Sequence, residues 1–109
     1  MNFDEYQQAS RITAINPNAE TDLIYPTLGL ASEAGEVADK IKKMIRDDDG
    51  QLTDARRAAL SDELGDVLWY LAALASVMSL SFETIATENL AKLKSRAQRN
   101  QLHGTGDIR

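Results

Sequence analysis

The chain has 109 residues, 43% of them hydrophobic and 27% charged, with a net charge of −5 and no cysteine. That length supports a single domain, residues 1–109, with a modest core, and the acidic balance argues against gripping a nucleic-acid polymer by its phosphate backbone. Without cysteine there is no disulfide, thiolate metal site or cysteine nucleophile.

The opening Met1-Asn2-Phe3-Asp4-Glu5 is acidic and no apolar stretch follows it, so no secretory signal is expected. Apolar and polar residues alternate at helical spacing over 3–15, with Phe3, Tyr6, Ile12 and Ile15 as candidate buried residues. Asn16-Pro17-Asn18 ends that helix. A second helix is predicted from Thr21-Asp22, which can cap it, to Arg46, with Pro26 in its tolerant first turns. Leu30, Ala34, Val37, Ile41 and Met44 make its apolar stripe. Asp47-Asp48-Asp49-Gly50 reads as a solvated turn.

Thr53-Asp54 is expected to cap a third helix that runs to about Met78. From Leu64 onward it is apolar on nearly every side, through Val67, Leu68, Trp69, Leu71, Leu74 and Val77. Such a helix must be surrounded, and three other short helices are too few, so a second subunit is inferred. The run from Val67 to Leu80 is too short to span a bilayer and is interrupted by serine; no membrane span is expected, and a cytoplasmic location is the default. Ser79 or Ser81 caps a fourth helix, Phe82 to about Arg99, with Ile85, Leu90 and Leu93 inward. The remaining tail, about 100–109, is expected to be flexible in the absence of a ligand. With no strand pattern or internal repeat, the fold class is all-α.

Two acidic pairs stand out. Glu33 and Glu36 lie on the second helix, Glu63 and Asp66 on the third. Spacing of i,i+3 puts each pair on one helical face, about 5–6 Å apart, where like charges repel. Each pair is followed by apolar residues, and each has a glycine at the same internal position, Gly35 and Gly65. A helix-interior glycine costs roughly 1 kcal/mol relative to alanine, which suggests close helix approach or room for a ligand. The competing interpretation is a solvated acidic surface, which is common for a single such pair. Four convergent carboxylates suit a hard divalent cation. The single histidine, His103, lies in the tail, so di-iron ligation by Glu-x-x-His has no support and all-oxygen ligation points to Mg²⁺ or Mn²⁺.

Lys40 shares the face of Glu33 and Glu36. Asn89, Lys92 and Arg96 line one face of the fourth helix, either as a grip on metal-bridged phosphates or as a solvated basic end that complements the helix dipole. Trp69 can stack on a base, but core or interface packing is the simpler role.

These stretches resemble the MazG-like members of the all-α NTP pyrophosphatase superfamily. In order, the matching pieces are Leu28-Gly29-Leu30 before Glu33-x-x-Glu36, then Glu63-x-x-Asp66-Val67-Leu68-Trp69-Tyr70, then Asn89-x-x-Lys92-Leu93-x-x-Arg96, and the Gly104-Thr105-Gly106-Asp107 tail. Ser32 departs from the pattern, since many relatives place a further glutamate there. The resemblance implies a four-helix MazG-like bundle completed by oligomerisation, as a homodimer or homotetramer. It also implies Mg²⁺-dependent hydrolysis of a nucleoside triphosphate to monophosphate and pyrophosphate. Glu33, Glu36, Glu63 and Asp66 would be the metal ligands, with Glu33 or Glu36 taking the water's proton. Lys40, Asn89, Lys92, Arg96 and Trp69 are then candidate substrate contacts. Two rivals are a phosphoribosyl-ATP pyrophosphohydrolase and a non-catalytic helical module that binds Mg-nucleotide or a partner.

Overall fold

Helix starts in this chain are set by short polar side chains that accept otherwise unpaired N–H groups. Asn2 accepts from the N–H of Glu5, Thr53 from that of Arg56, and Ser81 from that of Thr84. Asp22 accepts from both Ile24 and Tyr25. In the computed structural model, which describes residues 1–15 and 18–109, four helices result: α1 (Phe3–Ser10), α2 (Ile24–Asp47), α3 (Asp54–Val77) and α4 (Phe82–Gln98). The described residues contain no strand, and the fold is all-α as the sequence predicts.

The first helix is shorter than its periodicity suggests. It ends at Ser10 and continues as one 3₁₀ turn, Arg11–Thr13. There the hydroxyls of Ser10 and Thr13 donate to the carbonyls of Gln7 and Ser10, competing with the helical ladder. Ile12 and Ile15, expected to be buried, are therefore exposed. Of the expected stop, Asn16 and Pro17 lie outside the described residues.

The two 24-residue helices α2 and α3 pack along their length as an antiparallel pair. Asp49 and Gly50, both with positive φ, form the turn between them, and Arg56 closes it on Asp48 at 2.6 Å. Two of the three turn aspartates thus have a local partner, since Asp47 also takes a two-pronged contact from Arg46.

α1 lies across the end of α3 and the start of α4. Gln7 is the main clamp: its amide nitrogen donates to Ser76 Oγ and to the Leu80 carbonyl, and its oxygen accepts from Phe82 N–H. Asp4 accepts from Ser81 Oγ, and Phe3 stacks on Phe82 with ring centroids 4.8 Å apart. Beyond Ser79, which has a positive φ, the chain bends by 103° into α4.

That bend leaves the molecule open. α4 contacts α1 and, less extensively, α3. Its expected inward residues Ile85, Leu90 and Leu93 are exposed, and Phe82 and Arg96 are the side chains it buries. On α3 the fully sheltered positions are small, namely Ala72, Ala73 and Ala75, whereas Leu64 on the same helix and Met78 just beyond its end are half exposed. No single helix among the described residues is long and apolar enough to cross a membrane.

Candidate functional site

The α2–α3 turn fixes the register of the site. Contacts step along the two helices in opposite directions: Arg56 reaches Asp48, Lys40 reaches Glu63, Glu33 lies by Glu63 and Asp66, and Gly29 lies under Tyr70. Residues equally distant from the turn in sequence thus face one another, and both acidic motifs arrive at the same level.

Glu33, Glu63 and Asp66 each offer a carboxylate oxygen within 4.8 Å of the others. Glu33 and Glu63 are half-buried and Asp66 is exposed, so the cluster opens to solvent on one side. Burial holds the Glu33 carboxyl above the usual carboxylate range, helped by a hydrogen bond with Glu63 and by the charges of Asp66, Glu63 and Glu36. Glu36, expected as the fourth ligand, is exposed and stands outside this cluster. Three oxygen donors with one open side suit a hard, hydrated divalent cation.

Lys40 is the nearest compensating charge. Its Nζ lies 3.1 Å from Glu63 Oε1, with both side chains largely shielded, and this hydrogen bond raises the lysine's pKa. Gly35 and Gly65 have nothing within 4 Å of a Cβ position. They do not serve close helix packing within the chain, and they leave room beside the acids.

A cleft of about 270 Å³ adjoins Glu33, lined by Tyr25, Leu28, Gly29, Ser32 and Tyr70. Gly29 makes it: a methyl there would sit within the Tyr70 ring. Tyr25 and Trp69 flank the same ring, at centroid distances of 6.5 and 5.0 Å. Burial raises the Tyr70 pKa, as do a hydrogen bond with Tyr25 and the charges of Tyr25, Glu33 and Asp66. Tyr6 is likewise raised, by burial and then by Asp66. Tyr25 was not among the residues expected from sequence, although Tyr25, Gly29 and Glu33 recur every four residues on one face of α2.

The remaining expected residues lie elsewhere. Trp69 donates its indole N–H to Thr13 Oγ1 at 2.9 Å, tying the 3₁₀ turn to α3. Asn89 and Lys92 line a separate shallow groove with Ile85 and Glu88. Arg96 is buried and donates to the Asp107 carbonyl at 2.7 Å, and Lys92 lies 3.4 Å from the Asp107 carboxylate. The tail is folded back on α4, and the basic face of α4 meets Asp107 of that tail and not the Glu33–Glu63–Asp66 cluster.

The profile of the MazG nucleotide pyrophosphohydrolase domain matches residues 26–100, which contain both acidic motifs. The chain is also similar to the Gene 37 protein of Mycobacterium phage L5, with 46% identity over 114 residues spanning all of both proteins. No solved structure matches it.

Proposed function

The chain belongs to the MazG nucleotide pyrophosphohydrolase family, and from that premise we propose that it hydrolyses a nucleoside triphosphate between the α- and β-phosphates, releasing monophosphate and pyrophosphate. The observation that carries this reading is the convergence of Glu33, Glu63 and Asp66 from two helices onto one point open to solvent. Those three carboxylates would hold Mg²⁺, or Mn²⁺ in its place, because the donor set is all oxygen. When bound, the cation neutralises charge on the phosphate oxygens and lowers the pKa of a coordinated water.

The protein's own groups do the rest. Glu36, one turn along α2 from Glu33 and outside the three-carboxylate cluster, is the free carboxylate beside the site and the proposed proton acceptor. Glu33 and Glu63 are already engaged with each other. The Tyr25–Tyr70 cleft beside Glu33 receives the nucleoside, with aromatic surface for a base. Asn89 and Lys92 would reach the phosphates only from a second copy, since α4 does not lie on α2 in its own chain, and Arg96, buried against Asp107, would join them only once the tail lifts. The large apolar faces left open on α2, α3 and α4 support that assembly.

The test is turnover of a panel of standard and modified nucleoside triphosphates with Mg²⁺, resolving monophosphate plus pyrophosphate from diphosphate plus phosphate. Monophosphate and pyrophosphate, lost on chelation and lost in Asp66→Asn, are the expected result. Diphosphate and phosphate would overturn the cleavage site. No turnover on the panel but turnover of phosphoribosyl-ATP would overturn the substrate class.

A further inference from the structure

We propose that Lys40 is a built-in counter-ion that competes with the divalent cation for Glu63 and then, still protonated, pairs with the substrate's polyphosphate. The inference rests on the metal-site reading above and adds a role for one residue of that site.

Glu63 is claimed twice. One of its oxygens lies 3.1 Å from the Lys40 ammonium, and the same carboxylate belongs to the cluster in which three acids meet within 4.8 Å. Lys40 reaches it from α2, two turns beyond Glu33 and one turn beyond Glu36. The pair is well shielded, with the two side chains 25% and 16% exposed, so it is screened less than a surface ion pair. One lysine against three carboxylates leaves the cluster net negative, which still attracts a divalent ion. The lysine nevertheless repels that ion and occupies part of its ligand.

Two consequences follow from elementary electrostatics. Without nucleotide, Lys40 weakens cation binding, because seating the ion loosens an ion pair and brings like charges together. With nucleotide, the sign reverses: the carboxylates are shared with the cation, and the freed ammonium faces a polyanion. The lysine therefore favours the cation and the triphosphate arriving together over the cation alone. Lysine suits this exchange, being a mobile point charge on a flexible stem, unlike the fork of arginine.

The decisive comparison is wild type against Lys40→Gln and Lys40→Arg in the full-length chain. Mn²⁺ binding without nucleotide is followed by electron paramagnetic resonance of the free ion, and KM and kcat are measured separately. In Lys40→Gln we expect Mn²⁺ to bind about ten-fold tighter while KM for the nucleotide rises about ten-fold. Lys40→Arg should keep Mn²⁺ affinity near wild type. Helical circular dichroism confirms that the variants are folded. Unchanged or weaker Mn²⁺ binding in Lys40→Gln, with wild type binding normally, overturns the counter-ion role and leaves the metal site standing. Failure of wild type itself to bind Mn²⁺ overturns the metal site and this inference with it.

Discussion

Glu33 carries the electrostatic tension of the site. Its carboxyl is partly withdrawn from water and faces Glu63 and Asp66 across the helix pair, with Glu36 further along its own helix. A carboxyl whose folded pKa lies above its unfolded value favours folding below the unfolded pKa, and that contribution is lost as pH rises through the folded one. The metal-free protein should therefore gain stability as pH falls through the Glu33 titration. Carboxyl ¹³C NMR of Glu33 against pH should give a midpoint above the usual carboxylate range without divalent cation, moving down when Mg²⁺ is added. A midpoint indifferent to Mg²⁺ would separate Glu33 from the cation. At this scale the spacing brought four acids into view and suggested that all four converge, whereas three of them do. Residues three apart differ by about 60° around a helix. When Glu33 faces α3, Glu36 is turned aside, and only the neighbouring helix decides which of the two converges. The tyrosine cleft was harder to read for a similar reason, since it exists only because Gly29 and Tyr70 meet across two helices.

At the scale of elements, the helix starts were legible because each cap is a local event: an Asn, Asp, Thr or Ser three residues or fewer from the N–H it accepts. The end of α1 was not. There, two hydroxyls compete with the ladder, and Thr13 is further held by Trp69 from a distant helix. How α1 is attached also depends on distant partners, chiefly through Gln7. Replacing Gln7 with alanine removes three hydrogen bonds and leaves the Leu80 carbonyl and the Phe82 N–H unpaired at a helix junction. A loss of about 1–3 kcal/mol is expected, read as a lower midpoint of urea unfolding with little change in slope. Because the partners of Gln7 lie at Ser76, Leu80 and Phe82, ten residues or more beyond Asp66, Mn²⁺ affinity of the folded variant should stay close to wild type.

For the whole molecule, one chain leaves more surface uncovered than a compact domain of its length does. The Cα radius of gyration is 16.8 Å, against about 13 Å for a compact domain of this length. The accessible surface is 7749 Å², against about 6,000 Å² for a compact 12.0 kDa monomer. The surplus exceeds the roughly 800 Å² that each partner contributes to a standard interface. Much of the exposed area is apolar, with Leu64 58% and Leu90 67% exposed among many. The sequence carried this as a helix too apolar to be covered by its own chain, and the open geometry gives the same reason in area. Folding and association should therefore be coupled. Light scattering is expected to give a mass of at least two chains, and the melting temperature should rise with protein concentration. Leu64→Glu, which places a charge on the exposed apolar side of α3, should shift the equilibrium toward the monomer and lower the melting temperature by several degrees at a given concentration. A stable monomer with a concentration-independent melting temperature would leave the apolar faces unexplained and remove the second copy as the source of Lys92 and Arg96.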